Sequence, residues 1–211
     1  MSFVLILAFS IPLGIFTARH AGGRLDRAMT AVNQALMAIP AFVTGILLTY
    51  VFGLVLRWFV PGNYVSPGDN FGASLWYFLF PAVSIALPRV AMTVKMLRSS
   101  ILSELQKDYV RTSHSRGNSD RSTLYRHVLR NAMGPVVSFL AMTVADIVAG
   151  SVVIEQVFSL PGLGRMLLTS IANRDYPVVQ AVVVIVAFWV VLVNLLADLI
   201  NQRLDPRLRL T

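Results

Sequence analysis

Residues 178–200 read VVQAVVVIVAFWVVLVNLLADLI, a stretch in which Asp198 is the single charged residue. A helix rises about 1.5 Å per residue and the hydrocarbon core of a bilayer is about 30 Å thick, so about 20 apolar residues of helix cross it. The stretch lacks the alternation of apolar and polar residues that a membrane β-strand requires. It therefore predicts a transmembrane helix.

Four further apolar blocks precede this stretch, over residues 3–18, 35–56, 75–97 and 132–154. Of the 211 residues, 56% are hydrophobic and 13% are charged, and the mean hydropathy is +0.69. This composition excludes a soluble globular domain, a disordered chain and a coiled coil. We predict an all-α membrane protein, a polytopic bundle of about five transmembrane helices that forms a single domain over residues 1–211.

Lysine and arginine cluster on alternate connections between the predicted spans. Because basic residues are enriched on cytoplasmic loops, this asymmetry predicts an outside N-terminus and a cytoplasmic C-terminus. The cations assigned to the cytoplasmic side are Arg19, Arg24, Arg27, Lys95, Arg98, Lys107, Arg111, Arg116, Arg121, Arg126, Arg130, Arg203, Arg207 and Arg209. The net charge of +8 then reflects topology and attraction to membrane lipid, and it gives little support to a nucleic-acid partner.

Several enzyme and metal chemistries are missing from the sequence. The chain has no cysteine, which excludes disulfides, thiolate metal sites and cysteine nucleophiles. No G-x-x-x-x-G-K-[ST] motif is present, so ATP must bind to a partner. His20, His114 and His127 show no metal-ligand spacing. We predict no catalytic residue, no metal site and no cofactor in this chain.

The basic connection over residues 98–131 is too long and too patterned for a simple turn. Ile101, Leu102, Leu105 and Tyr109 recur at helical spacing and predict an amphipathic helix that ends at Gly117-Asn118. Ser119 and Asp120 suit the cap and first turn of a second helix, whose apolar face continues through Leu124 and Val128. We expect this segment to dock onto another protein. A solvated loop that only sets topology and a DNA-reading helix-turn-helix are the alternatives.

This loop contains the motifs DYVRT at 108–112, RG at 116–117 and YRHVLRNA at 125–132, followed by Pro135. A second region contains SVVIE at 151–155, VFS at 157–159, PGLG at 161–164 and NRDYPVVQ at 173–180, and the tail contains LDPR at 204–207. In this order, the motifs resemble the permease subunits of bacterial ABC importers. The similarity is closest to the dipeptide, oligopeptide and nickel branch.

The resemblance implies a permease of the bacterial inner membrane that forms a translocation path together with a second permease subunit. It also implies partner ATPase subunits that bind ATP and Mg, and an extracytoplasmic substrate-binding protein. Residues 155–176 are expected either to lie where this protein docks or to form a helix on the bilayer surface that packs the bundle. Peptides are the expected cargo, with nickel or other small solutes left open. In such permeases, the helix before the conserved glycine is the coupling helix, which contacts the ATPase. The residues that match it are Asp108, Tyr109, Val110, Arg111, Thr112, Ser113, His114, Ser115, Arg116 and Gly117.

The chain departs from the family pattern in this loop and at its front. Ser113 stands where alanine is usual, His114 and Ser115 stand where arginine and alanine are expected, and Asn118 replaces an apolar residue. Family members normally have one more N-terminal helix and an extracytoplasmic domain. We therefore expect a truncated member or a fragment.

Polar side chains within the predicted spans are candidates for function because they are costly in lipid. These residues are Arg89, Asp146, Asn194 and Asp198. Asp146 lies mid-span, and we expect it either to line the translocation path or to pair with another helix. Arg89 follows Pro88, and we expect it to satisfy carbonyls that the proline frees. Proton-coupled secondary transport through Asp146, and an intramembrane aspartyl protease that uses Asp146 with Asp198, are alternative functions.

Overall fold

The computed structural model describes residues 1–204, and for residues 148–150, 197, 198 and 200–204 it describes the main chain alone. The described part is helical and contains no strand. Its α-helices are α1 (Ser2–Arg19), α2 (Arg24–Ala38), α3 (Ala41–Leu48), α4 (Phe71–Leu105), α5 (Asp108–Ser115), α6 (Asp120–Thr123), α7 (Leu129–Val157), α8 (Leu163–Ala172) and α9 (Tyr176–Leu204). Two π-helical segments, Thr49–Val55 and Leu124–Val128, extend α3 and join α6 to α7.

Four helical stretches are long and apolar enough to cross a membrane, and a bent pair is the fifth candidate. The four are Ser2–Arg19, Phe71–Leu105, Asp120–Ile147 and Tyr176–Leu196. The predicted class, a polytopic all-α membrane bundle, is confirmed. Residues 205–207 of the LDPR tail motif lie outside the described residues, and so do Arg207 and Arg209. For Asp198 and Arg203, only the main chain is described.

The block predicted as one span over residues 35–56 is divided between two helices in the structure. The chain bends by 93° between Arg24–Ala38 and Ala41–Val55. Ile39 is extended, with ψ of 119°, because the ring of Pro40 disfavours a helical conformation in the residue before it. The apolar block thus combined the last turn of α2 with the whole of α3. Pro12, Pro81, Pro88 and Pro135, by contrast, lie inside helices that continue through them.

Helix α4 lies at the centre of the bundle and contacts α1, α2, α3 and α7. Val94, Leu97 and Ile101 on this helix are fully buried. The approach of α1 to α4 is close at Gly14, where an added Cβ would lie 2.7 Å from Cδ2 of Leu97. The main apolar core therefore follows α4 and extends past the end of its predicted span at residue 97.

A second apolar cluster lies near the other end of α4. Its buried members are Phe59, Tyr77, Phe80, Ile154, Phe158 and Leu160. The Tyr77 hydroxyl donates to the carbonyl oxygen of Phe158 at 2.6 Å and accepts from the backbone N–H of Gly62 at 3.1 Å. One phenol thus ties α4 to the end of α7 and to the connection that precedes α4.

A buried ion pair fixes the start of α2 against α4. The Nε and Nη2 atoms of Arg98 donate to the two carboxylate oxygens of Asp26 at 2.7 and 2.6 Å. The backbone N–H of Gly22 donates to the same carboxylate at 2.9 Å, and the Asp26 side chain is only 6% exposed. The sequence assigns Arg98 to the cytoplasmic loop and indicates no role for Asp26. The pairing shows that both residues hold the bundle together.

We expect Asp26→Asn to lower the thermal unfolding temperature of the purified chain in detergent. The substitution leaves the Arg98 guanidinium without its counter-charge, which costs about 3 kcal/mol for a largely buried pair. Lys107→Gln is the matched control, because the Lys107 side chain is 56% exposed in its pair with Glu104 and such pairs contribute about 1 kcal/mol or less. Equal unfolding temperatures for the two variants would contradict this role of Asp26.

Glu155 and Gly164 fix α8 against the end of α7. The Glu155 carboxylate accepts from the backbone N–H groups of Gly164 and Arg165 at 2.8 and 3.1 Å, and from the Ser151 hydroxyl at 2.9 Å. It therefore caps the first turn of α8. A Cβ at Gly164 would overlap the Cα of Val152. The PGLG motif is thus explained by the close approach of the two backbones.

Gly164→Ala is expected to destabilise the packing of α8 by about 1–3 kcal/mol, because the added methyl group meets main-chain atoms that cannot rotate away. Gly134→Ala is the control within α7, since a Cβ there has no neighbour within 4 Å. Thermal unfolding in detergent measures both variants. A Gly134→Ala variant as unstable as Gly164→Ala would refute the close-approach explanation.

Candidate functional site

The cytoplasmic segment 98–131 begins as a direct extension of α4. The sequence predicts one helix from Ile101 to the break at Gly117-Asn118, but the structure divides it at Gln106-Lys107 into the end of α4 and the separate helix α5. Glu104 bridges this division, accepting from Lys107 Nζ at 2.5 Å and from the Tyr109 hydroxyl at 2.8 Å. Burial raises the pKa of the Tyr109 phenol.

Helix α5 has one buried face and one exposed face. Val110 and Ser113 are buried, and Val110 belongs to the same apolar cluster as Ile101, Leu124 and Val128. The exposed residues of α5 and its C-terminal end are Asp108, Arg111, Thr112, His114, Ser115, Arg116 and Gly117, and Tyr109 is half-buried. The helix is therefore held on the bundle by two inward residues, and it presents a polar surface with several basic groups to the outside.

Gly117 forms the turn after α5, as the sequence predicts. Its φ of +79° lies in the left-handed region, which glycine adopts without steric cost. Its N–H donates to the carbonyl oxygen of His114 at 2.9 Å, and nothing lies within 4 Å of where a Cβ would be. The Ser119 hydroxyl then accepts from the backbone N–H of Ser122 at 3.3 Å and caps α6, also as predicted.

Two of the unusual loop residues are partners in one hydrogen-bond network. Ser113, which stands where alanine is usual, lies 2.9 Å from the hydroxyl of Thr123, and Asn118 donates to Ser113 at 3.2 Å. Thr123 is 1% exposed and Ser113 is 7% exposed. The network joins α5 to α6 across the Gly117 turn. Helix propensity, taken residue by residue, indicates only that Ser113 weakens α5. The structure shows that Ser113 and Asn118 hydrogen-bond to each other, so that each satisfies the other's polar group.

Ser113→Ala should loosen the α5–α6 connection by about 1–2 kcal/mol, because it leaves the buried Thr123 hydroxyl without this partner. Amide hydrogen exchange over residues 108–123 measures the loosening. Ser115→Ala is the control, since Ser115 is exposed and bonds only to the carbonyl oxygen of Arg111 in its own helix. The double variant Ser113→Ala/Thr123→Val removes both partners and should recover part of the protection. Unchanged exchange in Ser113→Ala would refute the network.

A second candidate site lies at the middle of the predicted spans. Nη1 of Arg89 on α4 donates to Oδ2 of Asp146 on α7 at 2.8 Å. Their side chains are 28% and 53% exposed, and both line a cavity of about 270 Å³. The expectation that Arg89 satisfies carbonyls freed by Pro88 is therefore replaced by a pairing with Asp146. Of the two expectations for Asp146, pairing with another helix is confirmed, and lining a translocation path remains a prediction.

The cavity beside this pair is formed where α2 ends and α3 begins. Met37, Ile39, Pro40 and Ala41 lie on one side of it, and residues of α4 and α7 lie on the other. Pro40 lies at this bend, and nothing in the sequence indicates that the bend lies against Arg89. Within the described residues, no group of three or more His, Cys, Asp or Glu side chains comes together in a way that could hold a metal ion.

Residues 10–210 match the family described as binding-protein-dependent transport system inner membrane component. The chain belongs to this family. Similar relatives include the probable peptide ABC transporter permease protein y4tP of Sinorhizobium fredii, at 34% identity over 99% of this chain and 67% of the relative. The oligopeptide transport system permease protein AppB of Bacillus subtilis is 35% identical over 99% of the chain and 66% of its own length. The nickel import system permease protein NikB of Staphylococcus aureus is 33% identical over 98% and 60%.

The fold of this permease-family chain also resembles that of a solved transporter. The MetNI methionine ABC transporter, in inward facing conformations, matches with a TM-score of 0.69 over 97% of this chain and 89% of the solved chain, at 16% identity. The chain spans about two thirds of the length of the curated relatives that it matches. The family relationship and the multi-pass membrane fold agree with the predictions made from the loop motifs and the apolar blocks.

Proposed function

We propose that this chain is the permease subunit of an ATP-driven importer and that its 98–131 loop couples it to a separate ATPase. In this proposal, it forms a translocation path with a second permease subunit, and a binding protein delivers the cargo from outside. Residues 1–211 act as one transmembrane domain. The family relationship supports the assignment, and the geometry of α5 is the observation that carries the coupling role.

Coupling requires a helix that is fixed to the membrane domain on one side and free to bind a partner on the other. Helix α5 meets both conditions. Glu104 holds its first turn to α4, the buried Val110 and Ser113 hold it to the bundle, and the opposite face is exposed. A push on that face would reach α4 without first unfolding the loop.

The charge of the exposed face indicates the kind of surface that would bind it. Arg111, His114 and Arg116 are exposed there, and Asp108 is the acidic residue at the start of the helix. An ATPase groove with acidic side chains would complement the cations. The same loop carries half of the fourteen cations assigned to the cytoplasmic side. This asymmetry supports an outside N-terminus and a cytoplasmic C-terminus in the proposal.

Peptides are the cargo that we propose. Two of the relatives reported above are named as peptide or oligopeptide permeases, and a third is named as a nickel permease. Proton-coupled transport through Asp146 is the alternative, and it requires uptake driven by a proton gradient without ATP. The aspartyl protease alternative requires Asp198 as well, and its side chain is outside the described residues.

The test of this function begins with the complex in its own membrane. The chain is tagged and purified in mild detergent, and the proteins and ATPase activity that accompany it are measured. Recovery of an ATPase and a second permease, with ATP-dependent peptide uptake after reconstitution, is the expected result. Recovery of the chain alone, or uptake that follows an imposed proton gradient in the absence of ATP, would overturn the proposal.

Gly117→Pro should reduce recovery of the ATPase at least tenfold while the chain still inserts in the membrane. Proline holds φ near −65° and has no N–H, so it cannot form the turn that positions α5. Gly62→Pro is a matched control, because Gly62 also has a φ near +80°, also donates one N–H hydrogen bond and lies on the opposite side of the predicted membrane. ATPase recovery that is equal for the two variants would contradict the coupling role.

A further inference from the structure

Two ion pairs join distant helices among the described residues, and they differ in burial and in geometry. Arg98 and Asp26 share two hydrogen bonds, and the Asp26 side chain is 6% exposed. Arg89 and Asp146 share one, and the Asp146 side chain is 53% exposed. Both of the latter residues belong to predicted spans, where an exposed charge is costly unless it faces water or a partner. The two arginine side chains are equally exposed, at 28%, so the pairs differ in their aspartates. A half-exposed carboxylate at mid-span needs water, a ligand or another subunit beside it.

The Arg89–Asp146 pair lines a cavity whose other walls are largely apolar. Its volume of about 270 Å³ is just below the range of roughly 300–1,000 Å³ that is usual for small-ligand sites. Met37, Ile85 and Met92 provide apolar walls, and the arginine and the aspartate are the charged groups among the lining residues. Flexible methionine side chains adapt to different ligand shapes. The cavity thus combines an adaptable apolar wall with one positive and one negative group.

A ligand that matches this site carries one charge of each sign. When such a ligand enters, the Arg89–Asp146 pair separates. Arg89 then pairs with the carboxylate of the ligand, and Asp146 pairs with its ammonium group. Two ion pairs then replace one, and no charge is left unpaired at the middle of the membrane. A ligand with a single charge would leave one protein charge without a partner.

We propose that the Arg89–Asp146 pair is a cargo-binding contact that receives the free carboxylate and ammonium ends of a short peptide on its way through the membrane. This inference rests on the proposed function, and it names the contact within the permease that would recognise the ends of the cargo. Arg89 binds the peptide carboxylate, Asp146 binds the peptide ammonium group, and side chains of the peptide meet the methionine wall.

Thiol protection in membranes that contain the chain with its partners tests the binding step. The sequence has no cysteine, so Met92→Cys introduces a single thiol into the cavity wall. Val184→Cys is the control, because Val184 is 67% exposed on the apolar surface of α9, away from the cavity. A water-soluble thiol reagent should modify Met92→Cys at least tenfold faster than Val184→Cys. Trialanine should slow the modification of Met92→Cys, and N-acetyl-trialanine amide, which lacks both end charges, should not.

The double variant Arg89→Gln/Asp146→Asn, combined with Met92→Cys, separates ligand binding from a structural role. It replaces both charges by neutral groups of similar shape that can still hydrogen-bond to each other. We expect the ATPase to co-purify with it and trialanine protection to be lost. The proposal would be overturned if trialanine still protected the thiol in this variant. It would also be overturned if, in Met92→Cys alone, both peptides or neither peptide protected the thiol, or if the reagent did not reach it. Protection by NiCl₂ in place of trialanine would overturn it in favour of a cation.

Uptake measurements provide an independent check with the same peptides. With the wild-type binding protein throughout, Arg89→Gln should lower uptake of trialanine at least tenfold and uptake of trialanine amide no more than about twofold. Asp146→Asn should lower uptake of trialanine at least tenfold, and uptake of N-acetyl-trialanine, which lacks the ammonium group, no more than about twofold. Equal losses with all three peptides would assign the pair to bundle stability. Thiol protection is measured without ATP and does not depend on the ATPase. If the ATPase failed to accompany the wild-type chain, that result would contradict the proposed function and not the binding of peptide at this pair.

Discussion

The uninterrupted helix α4 is the element on which the rest of the structure depends. Its 35 residues reach about 50 Å at 1.5 Å per residue, whereas the hydrocarbon core is about 30 Å thick. The part that extends beyond the predicted span remains packed, because Ile101 is fully buried in the same apolar cluster as Val110, Leu124 and Val128. The bundle and the 98–131 loop therefore share one rigid element.

Arg98 and Arg89 are two arginines on this one helix, and they are used in different ways. Arg98, near the cytoplasmic end, is locked to Asp26 by two hydrogen bonds and fixes α2. Arg89, at mid-span, makes one hydrogen bond to Asp146 beside a cavity. The two arginine side chains are equally exposed, and it is the aspartates that differ, at 6% for Asp26 and 53% for Asp146. Both aspartates are supplied by other helices, so helix packing determines which pair is enclosed. A movement that shifts α7 against α4 would change the second pair and leave the first one intact.

The unusual residues of the 98–131 loop have to be considered together. Taken singly, Ser113 and Asn118 are weaker choices than the alanine and apolar residue usual in the resembling permeases. In the structure they hydrogen-bond to each other, and Ser113 also pairs with Thr123. The polar groups are satisfied, and the α5–α6 turn gains contacts that an alanine would not make. The exposed side of α5 is unaffected by this exchange.

The sequence alone determined the membrane class, the helical state of the apolar blocks, the turn at Gly117 and the cap at Ser119. These features depend on local properties, namely the length of an apolar run, the φ that glycine tolerates and the hydroxyl of a capping serine. Proline disfavours a helical residue before it wherever it occurs, so only the tertiary structure decided that the chain breaks at Pro40 and continues through Pro12, Pro81, Pro88 and Pro135. It also decided that Arg89 meets Asp146, 57 residues away, and that Arg98 meets Asp26, 72 residues away. The physical reason is that these pairings depend on how whole helices pack against one another, which no local pattern of residues records.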